Sequence, residues 1–370
     1  MRIAYLLGIL LTVVSISQLS LQSIAVLNKG SQAFTPVFQK GMSYATCDNP
    51  SSPNQYNCSM SDESLKGMRD IGVEWVAIDV VWYQENTTTT HIYPNVATFS
   101  PTNDSVRYVI RKCHELGMKV MLKPMINCEN GSWRAYIQPI PGWFSNYTAY
   151  VCFFAEMAEE CNAEMFCIGC ELRNTTSSSY TKDWENIISE IRKRYHGNIT
   201  YAADWGKEYD KIEWWDYVDY VGINAYFGLT YDFDPSIEQL KLGWHDWIQI
   251  IEEWQSNKNI SKPIIFTEIG YQAVNGTSKC PWDFTIKDTN NATDLQEQVD
   301  CYEAAFQELW NETWLHGMYW WYWRTDPNPT DPLKARGNVT DALRDYTPQG
   351  KPAQGVLTHW YSQEKPIPVG

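Results

Sequence analysis

The stretch "DIGVEWVAI" (Asp70–Ile78) sets a glycine between the end of a helical pattern and an unbroken apolar run. Gly72 suits the left-handed residue that closes a helix, with a strand beginning at once. The same join returns in "ELGMKVMLK" (Glu115–Lys123), "YHGNITYAA" (Tyr195–Ala203) and "LHGMYWWYW" (Leu315–Trp323), around Gly117, Gly197 and Gly317. Helix, glycine, strand, repeated, is the rhythm of an α/β protein with parallel strands. Working outward, candidate strands lie near Gly41–Ala45, Val73–Val80, Lys119–Pro124, Met165–Glu171, Ile199–Ala203, Tyr217–Asn224, Pro263–Glu268 and Gly317–Trp321. Helical patterns separate them, at Val106–Leu116, Tyr147–Cys161, Trp184–Tyr195, Ile237–Gln255 and Asp294–Trp310, with a last one near Pro352–Trp360. Asp234–Pro235 reads as a cap before a first-turn proline, and Thr293 with Gln296 as a capping box. Eight strand–helix units in 370 residues predict a single (β/α)8 TIM barrel with elongated strand-to-helix loops. The alternative, an open doubly wound sheet, calls for a glycine-rich phosphate loop after the first strand, and the sequence has none.

Residues 1–25 read as a secretory signal peptide: Arg2, the apolar run Ile3–Ile16, and small residues for cleavage near Ser17 or Ala25. An uncleaved membrane anchor is the alternative. Residues 26–370 then form one domain, since no linker or second hydrophobic pattern interrupts them. Asn-x-Ser/Thr sequons begin at twelve asparagines, from Asn57 to Asn338, where composition alone gives about three. A secreted, N-glycosylated monomer is expected, with no membrane contact after signal cleavage. In an exported chain the ten cysteines are expected in disulfides, Cys47–Cys58 and Cys280–Cys301 being plausible local loops. "CIGC" (Cys167–Cys170) has a redox or zinc spacing, but on a strand its thiols should point to opposite faces. None of the six histidines forms an HxH or HExxH pattern, so neither metal nor cofactor is expected.

The net charge of −15 argues against nucleic acid and anionic membranes as partners. Aromatic residues make up 14% of the chain, enough to furnish a binding surface beyond the core. In a barrel the chemistry sits at the C-terminal strand ends. Those ends read Asp79 with Trp82, Lys123, Glu171, Asp204 with Trp205, Asn224 with Tyr226, Glu268, and Trp320–Trp321 with Trp323. In "KPIIFTEIGYQ" (Lys262–Gln272) a buried apolar run ends on the charge of Glu268, a costly placement unless the charge has a use. Glycoside hydrolysis supplies one: it needs one carboxyl held protonated and a second held ionised, in environments that separate their pKa values. Strand ends four and seven face each other across the barrel mouth, so Glu171 and Glu268 can flank a glycosidic bond. Indoles stack on sugar faces, and amides bind ring hydroxyls.

"GMSYAT", "WYQ", "VMLKP", "FCIGCEL", "TYAADW", "YVGINAYF", "IIFTEIGY", "GMYWWYW" and the closing "DYTPQGKPAQGVL" resemble glycoside hydrolase family 113, in the clan of retaining (β/α)8 glycosidases. The likeness runs from Gly41 to Trp360, and "IGCEL" and "FTEIGY" are its most specific pieces. It implies an endo-β-1,4-mannanase with Glu171 as general acid/base and Glu268 as nucleophile. It further implies that Tyr226 bonds the nucleophile, that Trp321 or Trp323 lies under the cleaved sugar, and that Lys123, Trp133 and Arg134 line the cleft. Two positions depart from the expected pattern. Cys170 stands where the wider clan has an asparagine, and Met125 where a histidine is expected after "LKP". They leave open the same mechanism on another β-glycan, or a non-catalytic carbohydrate-binding barrel.

Overall fold

A computed structural model describes residues 37–46, 55–97, 100–286, 292–335 and 337–366. The expected leader, Cys47 and the sequon at Asn291 lie outside the described residues. Eight parallel strands close in sequence order into one barrel: β1 (Gln39–Ala45), β2 (Trp75–Gln84), β3 (Lys119–Cys128), β4 (Met165–Cys170), β5 (Asn198–Asp204), β6 (Val221–Asn224), β7 (Ile264–Ile269) and β8 (Leu315–Arg324). Helices α1 (Ser59–Asp70), α2 (Asn103–Glu115), α3 (Trp143–Glu160), α4 (Thr181–Arg192), α5 (Glu208–Lys211), α6 (Ile237–Lys258), α7 (Leu295–Leu309) and α8 (Pro352–Tyr361) alternate with them. This is the predicted (β/α)8 barrel. The fifth helix is cut to a single turn, and a short extra helix, Val339–Arg344, sits in the loop after β8.

Local chemistry explains the elements. In α2 the Thr102 side chain accepts from Ser105 N–H, Asp104 lies in the first turn and Lys112 and His114 in the last. Val106, Val109, Ile110 and Cys113 form its buried stripe against the barrel. Gly117 then takes φ +80° and Gly72, after α1, φ +90°, as helix-closing glycines do. Gly197 and Gly317 are glycines for another reason. A Cβ at Gly197 would meet the Tyr195 hydroxyl at 2.2 Å, and one at Gly317, already inside β8, would meet Gln39 Cβ at 2.7 Å. The caps of α6 and α7 also shift from the expected residues. Ser236 and Gln239 form the capping box of α6, and Asp294 caps α7 by accepting from Gln296 and Glu297 N–H.

Two layers of apolar packing result. Outside the sheet, large rings fill the space under the helices, among them Trp184 stacked on Trp214 at 5.0 Å. Inside, Trp75, Met121, Met165, Cys167, Ile265 and Tyr319 plug the barrel below its C-terminal mouth. Register shifts interrupt the ladders at the mouth, between Cys167 and Cys170 on the β4/β5 pair and between Ile223 and Asn224 on the β6/β7 pair. Such irregularities bend strands and re-aim side chains.

The cysteine expectations change accordingly. The slip in β4 puts Cys167 and Cys170 into the same interior cluster, so simple alternation fails there. Burial pushes the Cys167 thiol up to about 11 and the Cys170 thiol well above its usual value. Both are neutral thiols, unsuited to metal binding or thiolate chemistry. The nine described cysteines are all free. Cys280 and Cys301 in particular are not bridged: Cys301 faces the core from α7, while Cys280 lies half-buried in the preceding loop.

Candidate active site

At the C-terminal mouth lies a cleft of about 1320 Å³, with Glu171, Glu268, Trp133, Arg134, Trp205, Tyr226 and Trp321 among its lining residues. Glu268 lies one residue before the end of β7, a strand buried along its whole length, and its two oxygens have different partners. Oε1 accepts from Lys123 Nζ, and Oε2 accepts from the Tyr226 hydroxyl at 2.6 Å. Burial first, and then the neighbouring Glu268 charge, hold the Tyr226 phenol well above its usual pKa, so it stays protonated and donating.

Lys123 is fully buried and stands 3.3 Å from Asp79 Oδ1 as well. Burial disfavours its ammonium form, but Asp79 and Glu268 together keep the group charged. One cation serves two carboxylates. Burial pushes Asp79 up to about 7, with the Lys123 charge opposing and the Glu268 charge adding to the rise. The ammonium also lies 5.4 Å from the Trp321 ring centre, on the cleft-facing side of β8.

Glu171 is held by a separate set. Arg134 Nη1 lies 3.3 Å and Trp133 Nε1 3.2 Å from its Oε2, while Asn224 Nδ2 donates to Oε1 at 3.0 Å. Thr267 fixes the Asn224 amide by donating to its Oδ1 at 2.9 Å. Burial nevertheless raises the Glu171 pKa. The Arg134 charge opposes that rise, and the Glu268 charge adds to it. Its backbone takes φ +52°, a left-handed conformation rare outside glycine and found at functional turns. Between the glutamates sits Cys170, with Sγ 3.5 Å from Arg134 Nη1 and from Asn224 Nδ2 and 3.9 Å from Glu268 Oε1.

The cleft thus gathers Glu171, Glu268, Tyr226, Asn224, Trp321, Lys123, Trp133, Arg134 and Trp205. Two predicted residues are elsewhere. Trp82 points outward from β2 into Tyr150, Phe153 and Phe154 of α3. Asp79 faces inward, and a residue three positions along a regular strand faces the other way. Trp323 is also turned outward, donating to Ser64 Oγ at 2.9 Å on α1. An extra residue in β8 relative to β1, between the pairs Met42–Trp320 and Tyr44–Trp323, sets Trp323 opposite to Trp321. Sequence reasoning missed Asn127, which accepts from Arg134 Nη2 at 2.7 Å, and Arg173, which pairs with Asp204. It also missed Trp282, Phe284 and Tyr346 on the long loops. Asn127 could have been found by extending the third apolar run by three residues; loop residues carry no periodic signal. Among the described residues, no cluster of three His, Cys, Asp or Glu side chains could hold a metal ion.

Two carboxylates in one cleft, Glu268 buried and Glu171 nearly so, each with its own electrostatic partners, can treat the two ends of an acetal bond differently. Comparison with known proteins gives the family. The family model of Glycoside Hydrolase Family 113 matches residues 45–351. A solved complex of a β-1,4-mannanase of that family is 28% identical, with 88% of this chain and 99% of that chain covered and a TM-score of 0.74. A family β-mannanase from Alicyclobacillus acidocaldarius is 26% identical, over 90% of this chain and 99% of its own, also at 0.74. A β-glucuronidase from Ruminococcus gnavus, 12% identical over 88% of this chain and half of its own at 0.59, shares the fold alone. No curated protein sequence matches significantly. A match across most of the barrel, from the end of β1 to the start of α8, decides the matter: the chain belongs to glycoside hydrolase family 113, and is a glycosidase acting on a poly- or oligosaccharide.

Proposed function

We propose that the protein is a secreted, retaining endo-β-1,4-mannanase working by double displacement, with Glu268 as nucleophile and Glu171 as acid/base. The observation that carries this reading is the division of partners. Lys123 and Tyr226 orient the Glu268 oxygens, while Glu171 sits in the same cleft with its pKa raised by burial. A Glu268 oxygen attacks the anomeric carbon, and the bond to the leaving oxygen breaks as Glu171 gives that oxygen its proton. Glu171, now ionised, takes a proton from water; the resulting hydroxide displaces the Glu268 ester and releases the sugar with retained configuration. This chemistry needs the carboxyls about 5–5.5 Å apart. The sugar is inferred from the β-mannanases that resemble the chain. Export is inferred from the leader and the sequons: of the eleven sequon asparagines within the described residues, none is buried.

Glu268→Gln is the test. It should abolish turnover and leave the melting temperature close to wild type. An activated 2-fluoro-mannoside should add one glycosyl mass to the wild type and none to the variant. A fully active variant refutes the assignment. Parallel assays on mannan, β-glucan and chitin oligomers decide the sugar. Intact mass before and after enzymatic deglycosylation, with N-terminal sequencing, decides secretion and leader removal.

A further inference from the structure

A wall of rings and charges leads outward from Glu171 along the cleft. Trp133, which donates to Glu171, lies under the Arg173 guanidinium, 5.0 Å from its ring centre. Arg173 pairs with Asp204 at the end of β5, and the next residue, Trp205, stacks on Trp282 with centroids 4.4 Å apart and planes 28° from parallel. Trp282 comes from the loop after β7. One of its faces is covered by Trp205, and an edge lies against Gly228, where an added Cβ would sit 3.3 Å from the indole. Yet Trp282 remains 43% exposed and lines the cleft, with Phe284 beside it 71% exposed. An indole fixed on one side and open on the other is not needed by the core. Pyranose rings present C–H groups that pack on such a face, and backing by a second ring fixes the platform before the ligand arrives.

We propose that Trp282, backed by Trp205, is the floor of a pyranose subsite on the leaving-group side of the scissile bond. This rests on the reading of Glu171 as the acid, because the wall begins at the group that faces the leaving oxygen. Binding energy from a remote sugar then contributes to cleavage of long chains and not of substrates that end at the scissile bond. The enzyme therefore works best within a chain, well away from its reducing end.

The test is Trp282→Ala, with Trp282→Phe beside it, on two substrates. One is mannohexaose. The other is mannobiosyl fluoride, whose leaving group is a single atom and reaches no such subsite. The expected result is a fall in kcat/KM of about tenfold or more on the hexaose, with the fluoride within about twofold of wild type and Phe restoring most of the loss. Equal losses on both substrates, or no loss on the hexaose, overturn the proposal. Glu171→Ala separates this from the reading beneath it. With the fluoride, which needs no acid, that variant should still release a burst of fluoride but should not cleave the hexaose. Loss of the burst faults the acid assignment rather than the platform. If wild type ignores mannohexaose and cleaves another β-linked hexaose, the sugar assignment fails, and the same comparison on that glycan decides the platform.

Discussion

Replacing Arg134 with glutamine tests how the cleft sets the protonation of Glu171. Arg134 Nη1 lies 3.3 Å from Glu171 Oε2, and the two side chains are 17% and 12% exposed. At that separation Coulomb's law gives about 5 kcal/mol at an effective dielectric of ~20. Water reaches part of both groups, and the guanidinium also serves Asn127, so about 1.5–3 kcal/mol is the reasonable share, or about 1–2 pH units. Burial holds the Glu171 pKa up and Arg134 is the leading influence that lowers it, so removing the cation favours the neutral acid. The alkaline limb of kcat/KM against pH, which reports loss of the free enzyme's proton donor, should therefore move upward by about 1–2 pH units in Arg134→Gln. The position of the limb is independent of the absolute rate, so lost substrate contacts do not confuse the reading. Stability gives a second check. A carboxyl whose folded pKa is raised contributes stability present below its unfolded pKa and lost as pH rises through the folded one, so the variant should go on losing stability to a higher pH than wild type. A limb that stays put, or moves downward, refutes the electrostatic account of Glu171.

Three further outcomes follow from the same geometry. Tyr226→Phe removes a 2.6 Å donor from Glu268 and should lower kcat about 10- to 100-fold with little change in KM, in steady-state assays on mannan. Asp79→Asn removes a buried carboxyl raised to about 7; that group's contribution to stability is present when it is protonated and lost as pH rises toward and through 7. The melting-temperature advantage of wild type over the variant should accordingly shrink between pH 5 and pH 8, and an advantage that grows contradicts the assignment. Gly222→Ala places a Cβ 2.3 Å from the Tyr201 carbonyl oxygen in the neighbouring strand and 2.8 Å from Thr267, and should destabilise the barrel by about 3 kcal/mol or more, read by urea unfolding.

The barrel was legible because its strands are buried on both faces and therefore read as continuous apolar runs, separated by helices with clear stripes. The two glutamates were legible because a charge at the end of such a run has few structural explanations. Side-chain direction near the mouth was less legible. Trp321 and Trp323 are two apart and should share a face, yet the extra residue in β8 turns them opposite ways. Trp82 and Asp79 read as one strand end in the sequence, although β2 continues to Gln84 and each residue keeps its own side of it. What came least readily was the far wall of the cleft. Trp282, Phe284 and Tyr346 sit on loops where neither period 2 nor period 3.6 applies, and their convergence is a tertiary fact.

Cys170 is one of the two positions at which the chain departs from the expected pattern, and the one at which strand alternation breaks. In a regular strand Cys167 and Cys170 face opposite ways, so Cys170 would point out toward the helices. The slip against β5 turns it inward, and the left-handed turn at Glu171 then carries the next side chain onto the cleft wall, so two consecutive residues both serve the site. The consequence is electrostatic. Asp79, Glu171 and Glu268 are already balanced against only Lys123 and Arg134, and a thiol whose pKa burial raises adds no further charge to that cluster. It can accept weakly from Arg134 and Asn224 without holding either away from Glu171. The amide at this end of the cleft is supplied instead by Asn224 of β6, anchored through Thr267 and aimed at Glu171 Oε1. Cysteine at this position is therefore compatible with the acid/base role proposed for Glu171, with the amide beside that carboxyl coming from Asn224.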